Sequence, residues 1–551
     1  MKQFKSIDAL RRSFGAVEND LVDELLAGRL DRRALLRHGS VLGMSLSTLG
    51  GLAGAVGLVA PRPARAQAKP GGTIRVAIAT PAGAVDPITV ADDGGLTMLM
   101  QAGEFLCVTQ PDLTLKPVLA TSWSHNDDSS VWTFKLRPGV KFISGGTLKA
   151  DDVVATIDRL ADPANASNAL SAFKGILSKG NTKKVDDLTV EFHLDAPYGA
   201  FPYVVSSDNY NFIILPASYK GDYEKNWDGT GPFKLEKFTP KVGASFVRNP
   251  EYWGDKALPD RTEFTYFDAL QPRILALQGG QVDLIDQLPV IGGQALLNDP
   301  NIIIIREKST AHQQVHMRCD VGPFADKRVR RAMALTLDRQ KLVAGLLRGY
   351  GEIGNDTPFA TVYPSSAPTI SQRKQDLAQA KQLLEAAGVG KGFKVNLTTE
   401  TYLEIPQYAV LLQNFARAVG IEIELKIESQ DAYYGKAVFG ESDWLDSTMG
   451  ITDFGHRGVP NVFLRAPLLS DGSWNAAHFK NKEYDALVGQ FGRTADVGGQ
   501  RDLAAKIETL LLDETPVLFG YFFDYLVPTR KGLTGVPPIP NRLFLDRAGF
   551  A

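Results

Sequence analysis

The sequence contains little cysteine and no recognisable catalytic signature. Its two cysteines, Cys107 and Cys319, are far apart and fit no C-x-x-C metal spacing. We therefore expect two separate small buried residues, although an oxidising compartment would permit a disulfide. The patterns H-E-x-x-H, G-x-S-x-G and G-x-x-x-x-G-K-[ST] do not occur. These absences argue against a zinc protease, an α/β-hydrolase and a P-loop ATPase.

The chain also lacks a strong excess of either charge. Its 60 Lys and Arg residues nearly balance 62 Asp and Glu residues. Residues 1–66 carry ten basic and six acidic residues, so the remainder carries 50 basic and 56 acidic ones. Nucleic acids require a basic face, which argues against a nucleic-acid partner for this mildly acidic body. With 551 residues, 44% of them hydrophobic, the sequence predicts two or three globular domains.

Only one uncharged stretch is as long as 20 residues, and it covers residues 41–60. It follows the paired Arg32 and Arg33 and precedes an Ala-x-Ala site that ends at Ala66. This order is typical of a twin-arginine export signal, so we expect cleavage after Ala66. An uncleaved membrane anchor is the alternative. Apolar residues at three- and four-residue steps predict one amphipathic helix over residues 6–30.

Strands and helices alternate in the remainder of the chain. Strands are predicted over 73–79, 131–136, 393–398 and 421–427, and helices over 151–160, 339–347, 378–387 and 407–419. Asp338 is placed to cap the helix that follows it, and Gly388 and Gly420 to end the last two helices. This alternation predicts an α/β lobe with a partly parallel sheet.

Several motifs together resemble the extracytoplasmic solute-binding proteins of the oligopeptide/dipeptide/nickel type, family 5, which serve ABC importers. The resemblance extends from Gly71 to about Gly520. The motifs that carry it are Gly71-Gly72-Thr73-Ile74-Arg75-Val76-Ala77, Pro117-Val118-Leu119-Ala120-Thr121-Ser122-Trp123, Thr133-Phe134-Lys135-Leu136-Arg137-Pro138-Gly139-Val140-Lys141-Phe142, Ala150-Asp151-Asp152-Val153-Val154, Gly229-Thr230-Gly231-Pro232-Phe233, Arg248-Asn249-Pro250-Glu251-Tyr252-Trp253 and Pro323-Phe324-Ala325-Asp326-Lys327-Arg328-Val329-Arg330-Arg331-Ala332.

This resemblance implies an α/β fold with two lobes, as in periplasmic binding proteins, and an extra domain inserted in the first lobe. The implied boundaries are lobe I over 67–108, 225–310 and 516–551, the inserted domain over 109–224, and lobe II over 311–515. The ligand would lie in the cleft between the lobes, and hinge closure would bury it.

The resemblance also implies where the ligand binds. In peptide-binding members, an acidic residue after a lobe II strand pairs with the ligand's α-ammonium, and Asp453 in Thr452-Asp453-Phe454-Gly455 matches it. Capping of a turn is the alternative role for Asp453. Further candidate ligand contacts are Thr452, Tyr402, Gln430, Tyr433 and Trp474, and core packing is the alternative for Trp474.

Three departures from the dipeptide-binding branch bear on the ligand. The stretch from Thr399 to Pro406 lacks the arginine that would hold a ligand carboxylate, and Gln430 stands where an aromatic residue is expected. The acidic stretch after the anchor is replaced by Gly458-Val459-Pro460-Asn461. We therefore expect a longer peptide, an opine-like amino-acid conjugate or an amine-bearing sugar derivative.

The resemblance implies a receptor without enzymatic activity and without a cofactor. The expected partners are the small-molecule ligand and ABC permease subunits, with the ATPase on separate chains, and the receptor is expected to be a periplasmic monomer. Binding of a nickel or other metal chelate is the alternative function, for which His456 is the candidate. A metal-dependent hydrolase is a further alternative. His312, His316 and Cys319 could suggest a metal site, but a strand would separate the two histidines by about 13 Å.

Overall fold

A computed structural model describes residues 7, 10–12, 14–56, 68–90, 92–537, 539 and 542–551. The predicted cleavage site after Ala66 lies outside these residues. The helices of four or more residues are α1 (Ala16–Leu26), α2 (Arg32–Val41), α3 (Leu46–Ala55), α4 (Asp93–Ala102), α5 (Ala150–Leu160), α6 (Leu170–Phe173), α7 (Phe201–Val204), α8 (Leu270–Gln278), α9 (Gln294–Leu297), α10 (Lys327–Thr336), α11 (Arg339–Leu346), α12 (Leu377–Ala386), α13 (Ile405–Arg417), α14 (Gln430–Tyr434), α15 (Asp443–Asp446), α16 (Asn461–Arg465), α17 (Lys482–Arg493) and α18 (Val497–Glu514). None of the described helices is both long and apolar enough to cross a membrane.

The described strands lie in three larger sheets and two two-stranded ones. They are β1 (Thr73–Ala79), β2 (Cys107–Thr109), β3 (Leu115–Pro117), β4 (Ala120–His125), β5 (Val131–Leu136), β6 (Thr182–Asp186), β7 (Thr189–His193), β8 (Phe233–Thr239), β9 (Gly243–Arg248), β10 (Arg261–Phe267), β11 (Leu284–Ile285), β12 (Ile302–Glu307), β13 (His312–Met317), β14 (Gly351–Ile353), β15 (Phe393–Glu400), β16 (Ile421–Glu428), β17 (Met449–Phe454), β18 (Val517–Phe523), β19 (Tyr525–Arg530), β20 (Leu533–Thr534) and β21 (Gly549–Phe550).

Two large sheets define the two lobes. The first lobe is built on a seven-stranded sheet with the order β12-β19-β11-β1-β10-β9-β8, and the second lobe on a six-stranded sheet with the order β14-β18-β13-β17-β15-β16. Strand β1 is parallel to β10 and β11, and β15 is parallel to β16 and β17. The predicted partly parallel sheet is therefore confirmed. A third, four-stranded sheet (β4-β5-β7-β6) lies within residues 109–224.

The predicted boundary between the lobes at residue 516 is wrong for one strand. Strand β18 pairs with β13 and β14 in the second lobe, whereas β19 pairs with β11 and β12 in the first. Only Asp524 separates the two strands, so the chain crosses between the lobes there. Both strands are almost continuously apolar, because each is buried on both faces of its sheet, and the sequence contains no turn signal at the crossing.

The two connectors between the lobes run side by side. One joins β12 to β13, and the other is Asp524 between β18 and β19. The Phe523 amide donates to the Ala311 carbonyl at 3.0 Å, and Ser309 Oγ donates to the Phe523 carbonyl at 2.5 Å. These hydrogen bonds tie the connectors into a single two-stranded hinge.

The residues predicted to cap or end three helices do so in the structure. The Asp338 carboxylate accepts a hydrogen bond from the Lys341 amide at 3.1 Å and caps α11. Gly388 and Gly420 adopt φ values of +80° and +87°, the left-handed conformation that ends α12 and α13 at little steric cost.

The prediction of one helix over residues 6–30 is wrong. Helix α1 begins only after Gly15, whose backbone is extended, and the chain turns at Gly28 with φ of +72°. Asn19 stabilises the break, because its amide donates to the carbonyls of Phe14 and Gly15 at 3.1 and 3.0 Å. Two glycines thus divide an apolar pattern whose spacing alone suggests a continuous helix.

Helices α1 to α3, which we call the leader segment, pack on the body of the protein. The Trp123 indole donates to the Val41 carbonyl at 3.0 Å, and the Leu115 amide donates to Ser40 Oγ at 2.9 Å. The Arg37 guanidinium donates to the carbonyls of Asp112 and Val362, which lie beside the four-stranded sheet and in the second lobe, respectively. The leader segment therefore contacts both the region of the four-stranded sheet and the second lobe.

The buried carboxyl group of Glu104 should make the stability of the first lobe depend on pH. Its buried carboxylate accepts hydrogen bonds from Thr230, Tyr252 and Trp253 at 2.7–2.8 Å, yet desolvation raises its pKa from 4.5 to about 7. The folded protein thus holds this proton more tightly than the unfolded chain. We expect a stability contribution of about 3 kcal/mol that is complete below about pH 4.5 and lost as the pH rises through about 7.

A Glu104→Gln variant removes this titration. Its unfolding midpoint, followed by circular dichroism from pH 4.5 to 7.5, should fall less with pH than that of the parent protein. The exposed Glu251→Gln variant serves as the control and should retain the parental slope. Equal slopes for Glu104→Gln and the parent would contradict the assignment.

Candidate ligand-binding site

The parallel strands of the two lobes end in acidic residues. In the second lobe, β15 and β17 are parallel, so Glu400 and Asp453 lie at the same edge of the sheet. In the first lobe, Asp286 follows β11, which is parallel to β1, and Asp93 begins α4. Ligands of open α/β sheets bind outside the carboxyl ends of strands. We call Asp93, Asp286, Glu400, Glu404 and Asp453 the carboxylate cluster.

Asp453 is the centre of this cluster. Its Oδ1 accepts a hydrogen bond from Gln313 Nε2 at 2.9 Å, because the two residues are paired across β13 and β17. Desolvation raises the pKa of Asp453 well above its usual range, and the negative charges of Glu400, Asp93 and Glu404 raise it further. Asp453 is therefore a carboxylate that an incoming cation would stabilise strongly.

Glu400 is held by neutral donors. Tyr434 and Gln430 each donate to its carboxylate at 2.6 Å. Desolvation raises its pKa, and the hydrogen bonds from Tyr434, Gln430 and the Asp453 backbone oppose that effect. Gln430, an expected ligand contact, therefore lies beside the site as a partner of Glu400.

Tyr402 links the second lobe to the first. Its hydroxyl donates to Asp93 Oδ2 at 3.1 Å, a contact between residues 309 positions apart in the chain. The position of Tyr402 beside Asp453 is reflected in its pKa, which desolvation raises, with Asp93 and Asp453 adding to the effect. Tyr402 therefore lies within electrostatic reach of Asp453, and its role in ligand binding stays a prediction.

Three other expected contacts lie apart from the Asp453 carboxylate. Thr452 Oγ1 and Tyr433 OH are hydrogen-bonded to each other at 2.9 Å, and Tyr433 is fully buried. Successive residues of a strand point to opposite faces, so Thr452 faces away from Asp453. Trp474 packs against Phe454 and Trp444 with ring centroids 6.0 and 6.5 Å apart. Their roles in ligand binding stay predictions.

Sequence reasoning missed Gln313, Glu404, Asp286 and Asp93. The Glu404 carboxylate accepts from Tyr521 OH at 2.7 Å, and Asp286 lies 3.6 Å from Arg273 Nη1. Burial raises the pKa of Asp286 to about 7. These residues come from separate segments, so no short motif connects them. The one available signal is the position of Asp286 directly after a short buried strand.

The metal candidates are separated and engaged elsewhere. His312 is buried among Phe454, Phe463, Phe519 and Phe522, and Nδ1 of His456 accepts a hydrogen bond from the Thr310 amide at 3.1 Å. Within the described ranges, no group of three His, Cys, Asp or Glu side chains could hold a metal ion. Both cysteines are free thiols; Cys107 is buried and Cys319 is partly exposed.

Solved structures with the same fold include receptors for diverse solutes. DppA from Helicobacter pylori, in complex with the peptide STSA, superposes with a TM-score of 0.75 at 22% identity and covers 88% of this chain and 98% of its own. NikZ from Campylobacter jejuni, in complex with Ni(L-His), superposes with a TM-score of 0.72 at 21% identity and covers 84% and 95%. These likenesses establish the fold of two lobes.

Sequence comparison leads to the family. The glutathione-binding protein GsiB of Escherichia coli K12 is 26% identical over 465 residues, which cover 79% of this chain and 85% of GsiB. Residues 114–461 match the profile of the bacterial extracellular solute-binding proteins, family 5, middle region. The match spans more than half of the sequence and confirms the resemblance found in its motifs. The chain therefore belongs to family 5 of the bacterial extracellular solute-binding proteins, the receptors of ABC importers.

Proposed function

We propose that this protein is a periplasmic receptor that captures a peptide or another amine-bearing solute and delivers it to an ABC permease. The observation that carries the proposal is Asp453, a carboxylate placed at the edge where the two lobes meet and paired with the neutral Gln313 amide alone among the described residues. An ammonium group would supply the missing positive charge and a strong, charge-assisted hydrogen bond.

Closure of the two lobes follows from the same geometry. Asp453 belongs to the second lobe, whereas Asp93, the acceptor of the Tyr402 hydroxyl, belongs to the first. A ligand bound between them contacts both lobes only when the cleft is closed. Its binding energy therefore favours the closed form, which is the form that a permease would recognise.

The proposal includes export. Residues 1–66 combine a twin-arginine motif with an uncharged run and an Ala-x-Ala site, which supports a cleavable leader that directs the folded chain to the periplasm. Removal after Ala66 would release the leader segment from its contacts with Trp123 and Arg501. The processed chain would begin at Gln67.

One experiment tests binding and processing together. The protein is purified from the periplasm of its own host, and its mass is measured under native and denaturing conditions. We expect an N-terminus at Gln67 and a co-purified amine-bearing molecule of low mass. A bound nickel chelate would instead support the alternative function, and a bound solute without an amine would overturn the assignment of Asp453.

A further inference from the structure

The carboxylate cluster contains more acidic groups than one ammonium group can pair with. Asp453, Glu400 and Glu404 come from the second lobe and Asp286 from the first. Burial raises the pKa values of Glu400, Glu404 and Asp286. The negative charge of Asp93 raises the pKa values of both Asp453 and Asp286. The five groups therefore share one electrostatic environment.

Neutral groups account for the hydrogen bonds to the three carboxylates of the second lobe. Gln313 donates to Asp453, Tyr434 and Gln430 to Glu400, and Tyr521 to Glu404, at 2.6–2.9 Å. In the described part of the chain, none of these three carboxylates forms a salt bridge. Hydrogen bonds from neutral donors orient a carboxylate but leave its charge uncompensated.

Two buried acceptors add an independent observation. Gln313 is fully buried and is fixed against Asp453 by its amide nitrogen, whereas its Oε1 has no hydrogen-bond partner among the described residues. Asp286 Oδ1 likewise accepts no hydrogen bond within the described residues, and its contact with Arg273 is a longer one of 3.6 Å. Buried acceptors that remain unsatisfied are costly, so both positions call for donors.

Three arginines of the described chain contact groups of the protein itself. Arg273 faces Asp286, Arg542 lies 2.7 Å from Asp208, and the Arg457 guanidinium stacks on the Tyr210 ring at 4.2 Å. The stretch beside Tyr402, from Thr399 to Pro406, contains no Arg or Lys. A ligand carboxylate beside this stretch would therefore meet negative charge without a matching cation.

We propose that the cleft selects small solutes with two cationic nitrogen groups, one bound by Asp453 and Gln313 in the second lobe and the other by Asp286 in the first. A basic peptide or a diamine meets this requirement. A net anionic solute such as glutathione does not, despite the similarity of the sequence to GsiB. This inference rests on the proposed function, because it assumes that Asp453 anchors the ligand.

We expect ligand affinity to follow charge across three matched tripeptides, glutathione and a diamine. Isothermal titration calorimetry on the protein purified from the periplasm compares Ala-Lys-Ala, Ala-Ala-Ala, Ala-Glu-Ala, glutathione and 1,4-diaminobutane. We expect the better of Ala-Lys-Ala and 1,4-diaminobutane to bind at least about tenfold more tightly than Ala-Ala-Ala, since opposite charges attract and like charges repel in a desolvated site. Whichever binds more tightly identifies the ligand as a peptide or a diamine.

Two substitutions test which residue binds each cationic group of the ligand. Asp286→Asn should reduce the advantage of the dicationic ligand to less than about threefold, whereas Asp453→Asn should weaken all amine ligands together. Asp431→Asn is the matched control, because Asp431 is an exposed aspartate of α14. Circular dichroism verifies that each variant remains folded.

The outcomes separate this inference from the function on which it rests. Equal binding of Ala-Lys-Ala, Ala-Ala-Ala and Ala-Glu-Ala, or no binding of either dicationic probe, would overturn the selection for two cations. In either case, a co-purified amine that is lost on Asp453→Asn substitution would leave the proposed function in place. Retention of that amine by Asp453→Asn would overturn both.

Discussion

Replacement of Asp453 by Asn should remove the co-purified ligand from the protein without unfolding it. Asparagine has nearly the same shape as aspartate but carries no charge, so the ammonium group of the ligand would be buried without its counter-ion. Loss of one partner of a buried, hydrogen-bonded charge pair costs about 2–5 kcal/mol, which corresponds to a loss of affinity of roughly 30-fold to several thousandfold.

Native mass spectrometry measures this effect as the fraction of protein that carries the ligand mass. The Asp431→Asn variant controls for the loss of one negative charge in the same lobe and should keep the parental occupancy. Because the pKa of Asp453 is raised in the ligand-free cleft, affinity should also fall in acid, where the carboxyl is protonated. Unchanged occupancy in Asp453→Asn would exclude this residue as the anchor.

The largest loss of stability is expected from Asp356→Ala in the second lobe. The Asp356 carboxylate is fully buried and accepts from Arg339 Nη2 at 2.6 Å, Arg373 Nη1 at 2.7 Å and the Phe519 amide at 3.2 Å. Alanine would leave two largely buried guanidinium groups without their counter-ion. Breaking a buried pair in this way costs about 3–5 kcal/mol.

Thermal unfolding followed by circular dichroism should show this loss as a decrease of roughly 10 °C in the midpoint of the second lobe. Glu422→Ala provides the contrast, because Glu422 and Lys394 form an exposed pair at 3.2 Å that solvent screens, so its loss should change stability little. Similar midpoints for Asp356→Ala and Glu422→Ala would refute the role of the buried network.

The regular elements of the fold could be predicted because their signals are local. Strands β1 and β5 have the predicted bounds, and α12 and α13 begin within two residues of the predicted positions. Alternating apolar residues and a Gly at each helix end determine these elements within a few residues of chain. The crossing at Asp524 had no such signal, because its two flanking strands are almost continuously apolar.

The site was predictable only where it coincides with a motif. Asp453 was expected from its match to a family motif and Tyr402 as a further candidate, and both stay predicted ligand contacts. Gln313 reaches Asp453 only through the pairing of β13 with β17. Asp286 comes under the influence of Asp93 only because β11 lies beside β1 in the sheet of the first lobe. Such encounters depend on tertiary structure, so a single sequence contains no spacing from which to derive them.

The proposed removal of the leader segment would change how freely the two lobes can rotate. Arg37 bonds to backbone on both sides of the cleft, at Asp112 and Val362, and Arg501 of the second lobe bonds to the Arg29 carbonyl at 3.3 Å. Rotation about the two-stranded hinge would move these anchor points apart. The leader segment would therefore hold the two lobes together until it is cleaved. Proteolysis cannot be reversed, so it would act once and leave a receptor that is free to open and close through many cycles of transport.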